Sequence, residues 1–345
     1  MTKTIERPLL GITIGDPGGI GPEICAKALN DPDIYTICRP LLIGDAAIMA
    51  NAVSFCNLDL NINGCQDVSD GRFIPGTLDV LDLGNMPLAQ LKHKTVTPAQ
   101  GKAAFEYIDT VIRLALDKKI DGTVTGPINK AAINAAGFHY AGHTEIYGDK
   151  TGTTDFAMML VDEDFRVTHV STHVSLRQAC DRVQTQRVLK VIQLTDLTLK
   201  RLNIKTPRIA VAGLNPHCGE GGLFGDEDET EIFPAVKAAR ALGILAEGPM
   251  PADTVFSKMK GGMYDVVVVM YHDQGHIPAK LVGFQFDNKT DTWGQMAGVN
   301  VTIGLPIVRT SVDHGTAFDR AGEGRANPQS MIEAIKLGAQ LSQKD

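Results

Sequence analysis

Three histidines stand in three separate, turn-rich settings: His173 in Ser-Thr-His-Val-Ser-Leu-Arg, His217 in Leu-Asn-Pro-His-Cys-Gly-Glu-Gly-Gly, and His272 in Tyr-His-Asp-Gln-Gly-His. Each lies just beyond an apolar run that predicts a β-strand, over residues 166–170, 208–214 and 265–270. In open α/β sheets, ligands gather outside the carboxyl ends of strands. Three imidazoles delivered there from different strands suit a divalent metal with an open coordination position, and so metal-assisted chemistry on a small molecule. The competing reading is structural. A lone histidine at a strand end is more often a hydrogen-bonded residue of the fold, and the spacing matches no short zinc signature such as His-Glu-x-x-His. The metal reading therefore rests on the convergence of all three.

Other polar groups cluster at the same kind of place. After the four valines 266–269 come His272, Asp273, His276 and Lys280, a density of charge that packing does not explain. Asn300 and Arg309 add the polar and positive groups that a phosphorylated acid needs, and Thr310 to Thr316 forms a further polar cluster. Tyr-Ala-Gly-His143-Thr144-Glu sits at a predicted helix start, with Thr144 as the expected cap. Thr125-Gly-Pro127-Ile-Asn-Lys130 reads as a strand-to-helix turn with Pro127 in the first helical turn. The first strand ends in Gly15-Asp-Pro-Gly-Gly-Ile-Gly21-Pro-Glu, a turn whose free N–H groups suit a phosphate, although it is neither the dinucleotide fingerprint nor a Walker A loop. The glycine-dense stretch 217–225 tolerates close approach of a ligand. The acidic run 226–229 reads as the negative first turn of a helix.

The elements that must position these groups alternate along the chain. Apolar runs at 9–14, 41–43, 122–125, 208–214, 265–270 and 299–303 are interleaved with helical patterns at 21–29, 45–55, 98–118, 185–202, 227–242 and 330–341. That alternation predicts an α/β fold with a largely parallel sheet covered by helices. The chain has 345 residues, enough for two lobes. Lys and Arg total 33 against 40 Asp and Glu, a net charge of −7 with no basic run, which argues against nucleic acid or an anionic membrane as partner. The six cysteines hold no Cys-x-x-Cys pair and read as reduced thiols. With no leader pattern and no long apolar run, a soluble cytoplasmic protein is expected.

Taken in order, Gly-Asp-Pro-Gly-Gly-Ile-Gly-Pro-Glu, Thr-Gly-Pro-Ile-Asn-Lys, Gly-His-Thr-Glu, Asn-Pro-His-x-Gly-Glu-Gly-Gly, Tyr-His-Asp-Gln-Gly and Arg-Thr-Ser-Val-Asp-His-Gly-Thr-Ala resemble the 4-hydroxythreonine-4-phosphate dehydrogenase family over nearly the whole chain. The resemblance implies a two-lobed α/β/α fold similar to isocitrate and isopropylmalate dehydrogenases, not a Rossmann fold. It implies one lobe from residues 1–138 plus 301–345 and a second from 139–300, with the active site in the cleft and at a homodimer interface. It implies NAD, with Asp253 as the candidate contact, and a divalent metal (Zn, Mn, Mg or Co) at His173, His217 and His272, one of them from the partner subunit. His143, Thr144, Lys280, Asn300 and Arg309 carry over as substrate contacts. Lys130, Lys280 or a water on the metal would take the proton.

Two departures, His276-Ile277-Pro278 and Ala317-Phe318-Asp319, resemble the family's second branch, which oxidises 4-phospho-D-threonate or 4-phospho-D-erythronate. The implied reaction oxidises a secondary alcohol β to a carboxylate and releases CO2, giving dihydroxyacetone phosphate. The alternative substrate is 4-phosphohydroxy-L-threonine, in pyridoxal phosphate synthesis. A metal-dependent hydrolase would use the same histidines without a nicotinamide. Residues 285–297, which include Trp293, read as a longer loop than expected between Gly-Phe and Gly-Val-Asn, beside Lys280 and Asn300, and so bear on which substrate is taken.

Overall fold

The computed structural model describes residues 6–288, 292–296 and 298–343. Its strands are β1 (Leu9–Thr13), β2 (Arg39–Gly44), β3 (Asn61–Cys65), β4 (Thr77–Asp82), β5 (Gly122–Thr125), β6 (Ala157–Asp162), β7 (Phe165–His169), β8 (Ile209–Ala212), β9 (Ala246–Met250), β10 (Val266–Val269), β11 (Phe284–Asp287), β12 (Thr292–Met296), β13 (Val299–Ile303) and β14 (Arg309–Val312). The chain divides into two compact units, Met1–Thr154 with Leu305–Asp345, and Asp155–Gly304. The helix His143–Thr151, assigned to the second lobe from sequence, groups with the first unit, and residues 301–304 group with the second.

In the first unit the strand order is β3-β4-β2-β1-β5-β14, and every pair is parallel. β1 is buried at all five positions, as a strand covered by helices on both faces must be. The helix Pro98–Leu116 supplies part of that cover. Thr97 caps it by accepting from the Gln100 N–H at 3.2 Å, and Pro98 takes a first-turn position where its missing N–H is not needed. Its face of Ala103, Ala104, Tyr107, Ile108, Val111 and Ile112 is buried at helical period.

The turn after β1 is filled by the protein itself rather than open to a phosphate. Residues 15–21 are all buried. A Cβ on Gly15, where φ is +72°, would lie 2.3 Å from the Pro127 carbonyl oxygen, and one on Gly21 would lie 2.0 Å from that of Ile14. Glycine is there so that one backbone can lie against another. Pro127 itself precedes the helix Lys130–Ala135, which begins behind an Asn129 cap that accepts from the Ala132 N–H at 2.9 Å.

In the second unit the order is β13-β6-β7-β10-β8-β9. β7, β10, β8 and β9 run parallel, whereas β6, absent from the sequence reading, is antiparallel to both β13 and β7. The four valines of β10 are fully buried, each contributing about 2 kcal/mol. β11 and β12 pair antiparallel, so the segment expected as a loop is in part strand; residues 289–291 and 297 lie outside the described residues. The acidic run begins a π-turn, Asp228–Ile232, ahead of the helix Phe233–Ala241. Asp228, in the acidic first turn as expected, is fully buried and also accepts from the Leu214 and Asn215 N–H groups at 2.9 and 3.0 Å, which makes it the anchor of the loop after β8. Among the described residues no helix is long and apolar enough to cross a membrane. The six cysteines form no disulfide.

Candidate functional site

β7, β10 and β8 are adjacent parallel strands, and the loops leaving their carboxyl ends carry His173, His272 and His217. His173 and His272 are brought together, with ring centroids 5.8 Å apart, on the wall of a cleft of about 510 Å³ that Tyr271, Asp273 and Ser175 also line. The His272 Nδ1 lies 2.7 Å from Asp273 Oδ1. A carboxylate only accepts, so Nδ1 carries the hydrogen, and in the neutral tautomer this selects, Nε2 is the nitrogen with a free lone pair. His217 is not gathered with them: among the described residues no three His, Cys, Asp or Glu side chains are grouped to hold a metal ion.

Local backbone explains why these loops are held. Gln274, buried at the start of the helix His272–Gly283, accepts from the Met270 N–H at 2.7 Å and donates to the Gly213 carbonyl at 2.7 Å. One side chain thus ties the turn that bears His272 to the strand end that leads to His217. Beyond Gly213, His217, Cys218 and Glu220 all adopt the left-handed region, with φ of 53°, 56° and 45°, each at a cost of about 1–2 kcal/mol for a residue with a Cβ. Strain of this kind concentrates where function requires a particular backbone. Asp253 is exposed in the first turn of the helix Ala252–Lys260; burial first, then the charges of Asp228 and Asp253, push the Cys218 thiol up to about 11.

Two further imidazoles stand nearby, His169, which sequence reading missed, and His276, which it noted without giving it a role of its own. His169 ends β7, fully buried, and His276 lies one turn after His272. Burial pushes both down, to about 3 and about 4, so both rings are neutral at physiological pH. His276 was legible from the i, i+4 spacing in His-Asp-Gln-Gly-His; His169 had no signal beyond its place in a strand.

The first unit holds a different constellation. Arg309, at the start of β14, is 3% exposed; its Nη2 donates to Thr125 Oγ1 at 3.0 Å, and its guanidinium lies 5.7 Å from the Tyr147 ring centroid. Tyr147, which sequence reading passed over, donates to Thr123 Oγ1 at 3.0 Å. Thr123 and Thr125 share one face of β5 because strand side chains alternate. Burial lowers Arg309 to about 10, with Tyr147 and Glu145 opposing, so the cation persists at neutral pH. His143 is half-buried, and its Nε2 has no hydrogen-bond partner. Burial first, then the charges of Arg309 and Lys130, hold it well below the usual imidazole range. Lys130 is exposed at the first position of its helix. Thr144 does not cap: the cap position is Gly142, without a side-chain bond, and Thr144 lies inside the helix. A desolvated guanidinium with a neutral imidazole and an exposed ammonium is suited to an anion bearing hydroxyls.

In the second unit, Asn300 on β13 donates to Met158 Sδ at 2.9 Å, while its buried Oδ1 has no partner. Lys280 is exposed in the later part of the His272–Gly283 helix.

A β-decarboxylating dehydrogenase from Thermococcus kodakarensis, 13% identical, shares the fold with a TM-score of 0.50 over 97% of this chain and 81% of that one. The crystal structure of a 4-hydroxythreonine-4-phosphate dehydrogenase from Burkholderia phymatum is far nearer, at 42% identity and a TM-score of 0.84 over 98% and 99% of the two chains. Among curated relatives, a protein of Symbiobacterium thermophilum named "Putative D-threonate 4-phosphate dehydrogenase" is 48% identical over 97% of both chains. A 4-hydroxythreonine-4-phosphate dehydrogenase of Desulforapulum autotrophicum is 45% identical over 97% of this chain and 96% of its own. The family model described as "Pyridoxal phosphate biosynthetic protein PdxA" matches residues 36–338, and the chain belongs to that family.

Proposed function

We propose that this chain is an NAD-dependent, metal-assisted dehydrogenase. Its substrate is a 4-phosphorylated 3-hydroxy acid, 4-phospho-D-threonate or 4-phospho-D-erythronate, which it oxidises at C3 and decarboxylates to dihydroxyacetone phosphate. The observation that carries the reading is the His173–His272 pair at neighbouring strand ends, in a chain whose relatives are named dehydrogenases of phosphorylated hydroxy acids.

The donor set fits a divalent metal. Two imidazoles sharing one ion place their centroids roughly 5–6 Å apart, against 5.8 Å for this pair, and the bond from His272 to Asp273 leaves Nε2 as the ligating atom. His173, His272 and His217 would hold the ion, one of them from the partner subunit of a homodimer. Asp253, exposed near the glycine-rich loop where a Cβ on Gly221 or Gly222 would meet nothing within 4 Å, fits a ribose hydroxyl of NAD. When bound, the metal would supply Lewis-acid polarisation of the reacting oxygen, and NAD would supply the hydride acceptor.

The chain's own residues then divide the remaining work. Arg309 and Lys280 hold the anionic ends of the substrate. His143, neutral, and the Thr144 hydroxyl contact its oxygens, and Asn300 Oδ1 accepts from a substrate hydroxyl. Lys130, or Lys280 in its neutral form where Arg309 alone holds the anion, takes the proton released from the C3 hydroxyl.

The test is NADH formation by the purified protein with Mn²⁺ or Mg²⁺, comparing 4-phospho-D-threonate, 4-phospho-D-erythronate and 4-phosphohydroxy-L-threonine. Turnover of the first two to dihydroxyacetone phosphate supports the reading. Preference for the third moves the chain to pyridoxal phosphate synthesis, the reading favoured by the name of the Desulforapulum relative. Phosphate release without NADH would replace both with a metal-dependent hydrolase.

A further inference from the structure

The helix that begins at His272 carries a second imidazole one turn on. His276 is 8% exposed, and its ring stacks on that of His272 with centroids 3.6 Å apart and planes 9° apart. Its Nδ1 lies 3.0 Å from the His272 carbonyl oxygen, which can only accept, so the bond ties the later turn to the backbone of the first. Behind His276 stands His169, 4.8 Å away, itself held through Nδ1 to the Met158 carbonyl at 3.2 Å. Gly275 permits this depth: a Cβ there would lie 2.6 Å from both His169 Nε2 and Val167 Cγ1. The three rings form a column anchored in β7.

A flat stack restricts more than position. The χ2 torsion of histidine is broad and weakly staggered, so an isolated imidazole swings its Nε2 through a wide arc. A parallel ring in contact with one face removes most of that arc, because rotation drives ring edges into the neighbour. An aliphatic side chain of similar volume fills the space without defining a plane. The Asp273 bond restrains one edge of the His272 ring and the stack restrains its face.

We infer that His276 is a positioning residue that fixes the ring plane of His272 and so aims its Nε2. The inference rests on the assignment of His272 as a metal ligand made above.

The test titrates the metal-free, full-length protein with Co²⁺ alone, following its visible absorption bands and measuring Kd by calorimetry. Wild type is compared with His276→Leu, His276→Phe and His272→Asn, with apo melting temperatures recorded for all. Loss of a residue that orients a ligand weakens metal binding by roughly 10- to 100-fold. That loss is expected for His276→Leu, with altered bands and a near wild-type apo melting temperature. His276→Phe, which keeps a flat ring, should stay within about threefold of wild type, a small fraction of that range. Unchanged Kd and bands in His276→Leu, alongside lost binding in His272→Asn, overturn the inference alone. Equal losses in the Leu and Phe variants overturn it too. Wild-type binding by His272→Asn refutes the metal assignment itself. If His276→Leu does not fold, His276→Asn, which has a donor but no ring, is read in its place by the same criteria.

Discussion

Asp16 should make the protein less stable as pH rises, and replacing it with Asn should remove that loss. Its side chain is fully buried in the turn after β1. Oδ1 accepts from the Gly18 N–H at 2.9 Å, whereas Oδ2 has no partner. Burial raises the carboxyl from 3.8 to about 6, and the bonds from Gly18 and Gln100 offset only part of the effect. The folded state therefore holds this proton more tightly than the unfolded chain. Its contribution is most favourable below the unfolded pKa and is lost as pH rises through the folded one. Raised from 3.8 to about 6, the carboxyl costs about 3 kcal/mol at pH 8, of which about 1 kcal/mol has already accrued by pH 4.5.

Asn is nearly isosteric, keeps the acceptor for Gly18, and cannot ionise. The Asp16→Asn protein should thus gain about 3 kcal/mol at pH 8 and about 1 kcal/mol at pH 4.5. At roughly 2–4 °C per kcal/mol, the rise in melting temperature at pH 8 is on the order of 6–12 °C. Thermal melts of both proteins across that range, followed by near-UV circular dichroism, measure it. A difference between variants that is flat with pH, or that widens towards acid, would refute the reasoning.

Three further substitutions probe the second unit. Gly275→Ala forces a Cβ into His169 and Val167, so it should cost about 1–3 kcal/mol by overpacking, read as a lower melting temperature with weakened metal binding; an unchanged melt would mean that the His272–Gly283 helix can shift freely. Gln274→Met strands the Met270 N–H and the Gly213 carbonyl at about 1–3 kcal/mol each, and amide exchange at Met270 should accelerate sharply if that bond is what protects it. His217→Gly relieves a left-handed residue, so denaturant unfolding should show stability held or raised by up to about 1 kcal/mol while metal-dependent turnover disappears; retained turnover would remove His217 from the site.

Much of this molecule was legible in its sequence, and the rest was hidden for identifiable reasons. The four valines of β10 and the apolar run 166–170 are local signals, so the strand ends bearing His272 and His173 could be placed. Direction is not local. The Ala-Met-Met-Leu-Val run of β6 has the same apolar character whichever way its neighbours run, and its antiparallel pairing became visible only with β13 and β7 in place. The purpose of a glycine is likewise set by its neighbours: Gly15 lies against Pro127, more than a hundred residues away. The roles of Asp228 and Gln274 were hidden because each satisfies a distant backbone group, the Leu214 N–H 14 residues away and the Gly213 carbonyl 61 residues away. Thr144 was misjudged as a cap because composition favours threonine there, while the chain uses Gly142 instead.

The order of synthesis imposes a burden on the first unit. The second unit is continuous in sequence, but the first resumes only at Leu305, and Arg309 follows its partner Thr125 by 184 residues. At ribosomal speeds that interval lasts roughly 10–40 s. Throughout it β5 lacks β14, so a nascent chain carries a parallel sheet with one edge unsatisfied. The terminal helix Gln329–Leu341, which accepts the Thr310 hydroxyl at the Ala334 carbonyl, arrives later still. A cell making this protein must shield that edge while the second unit is already complete, so slow translation or chaperone shortage should show first as aggregation rather than as an inactive enzyme.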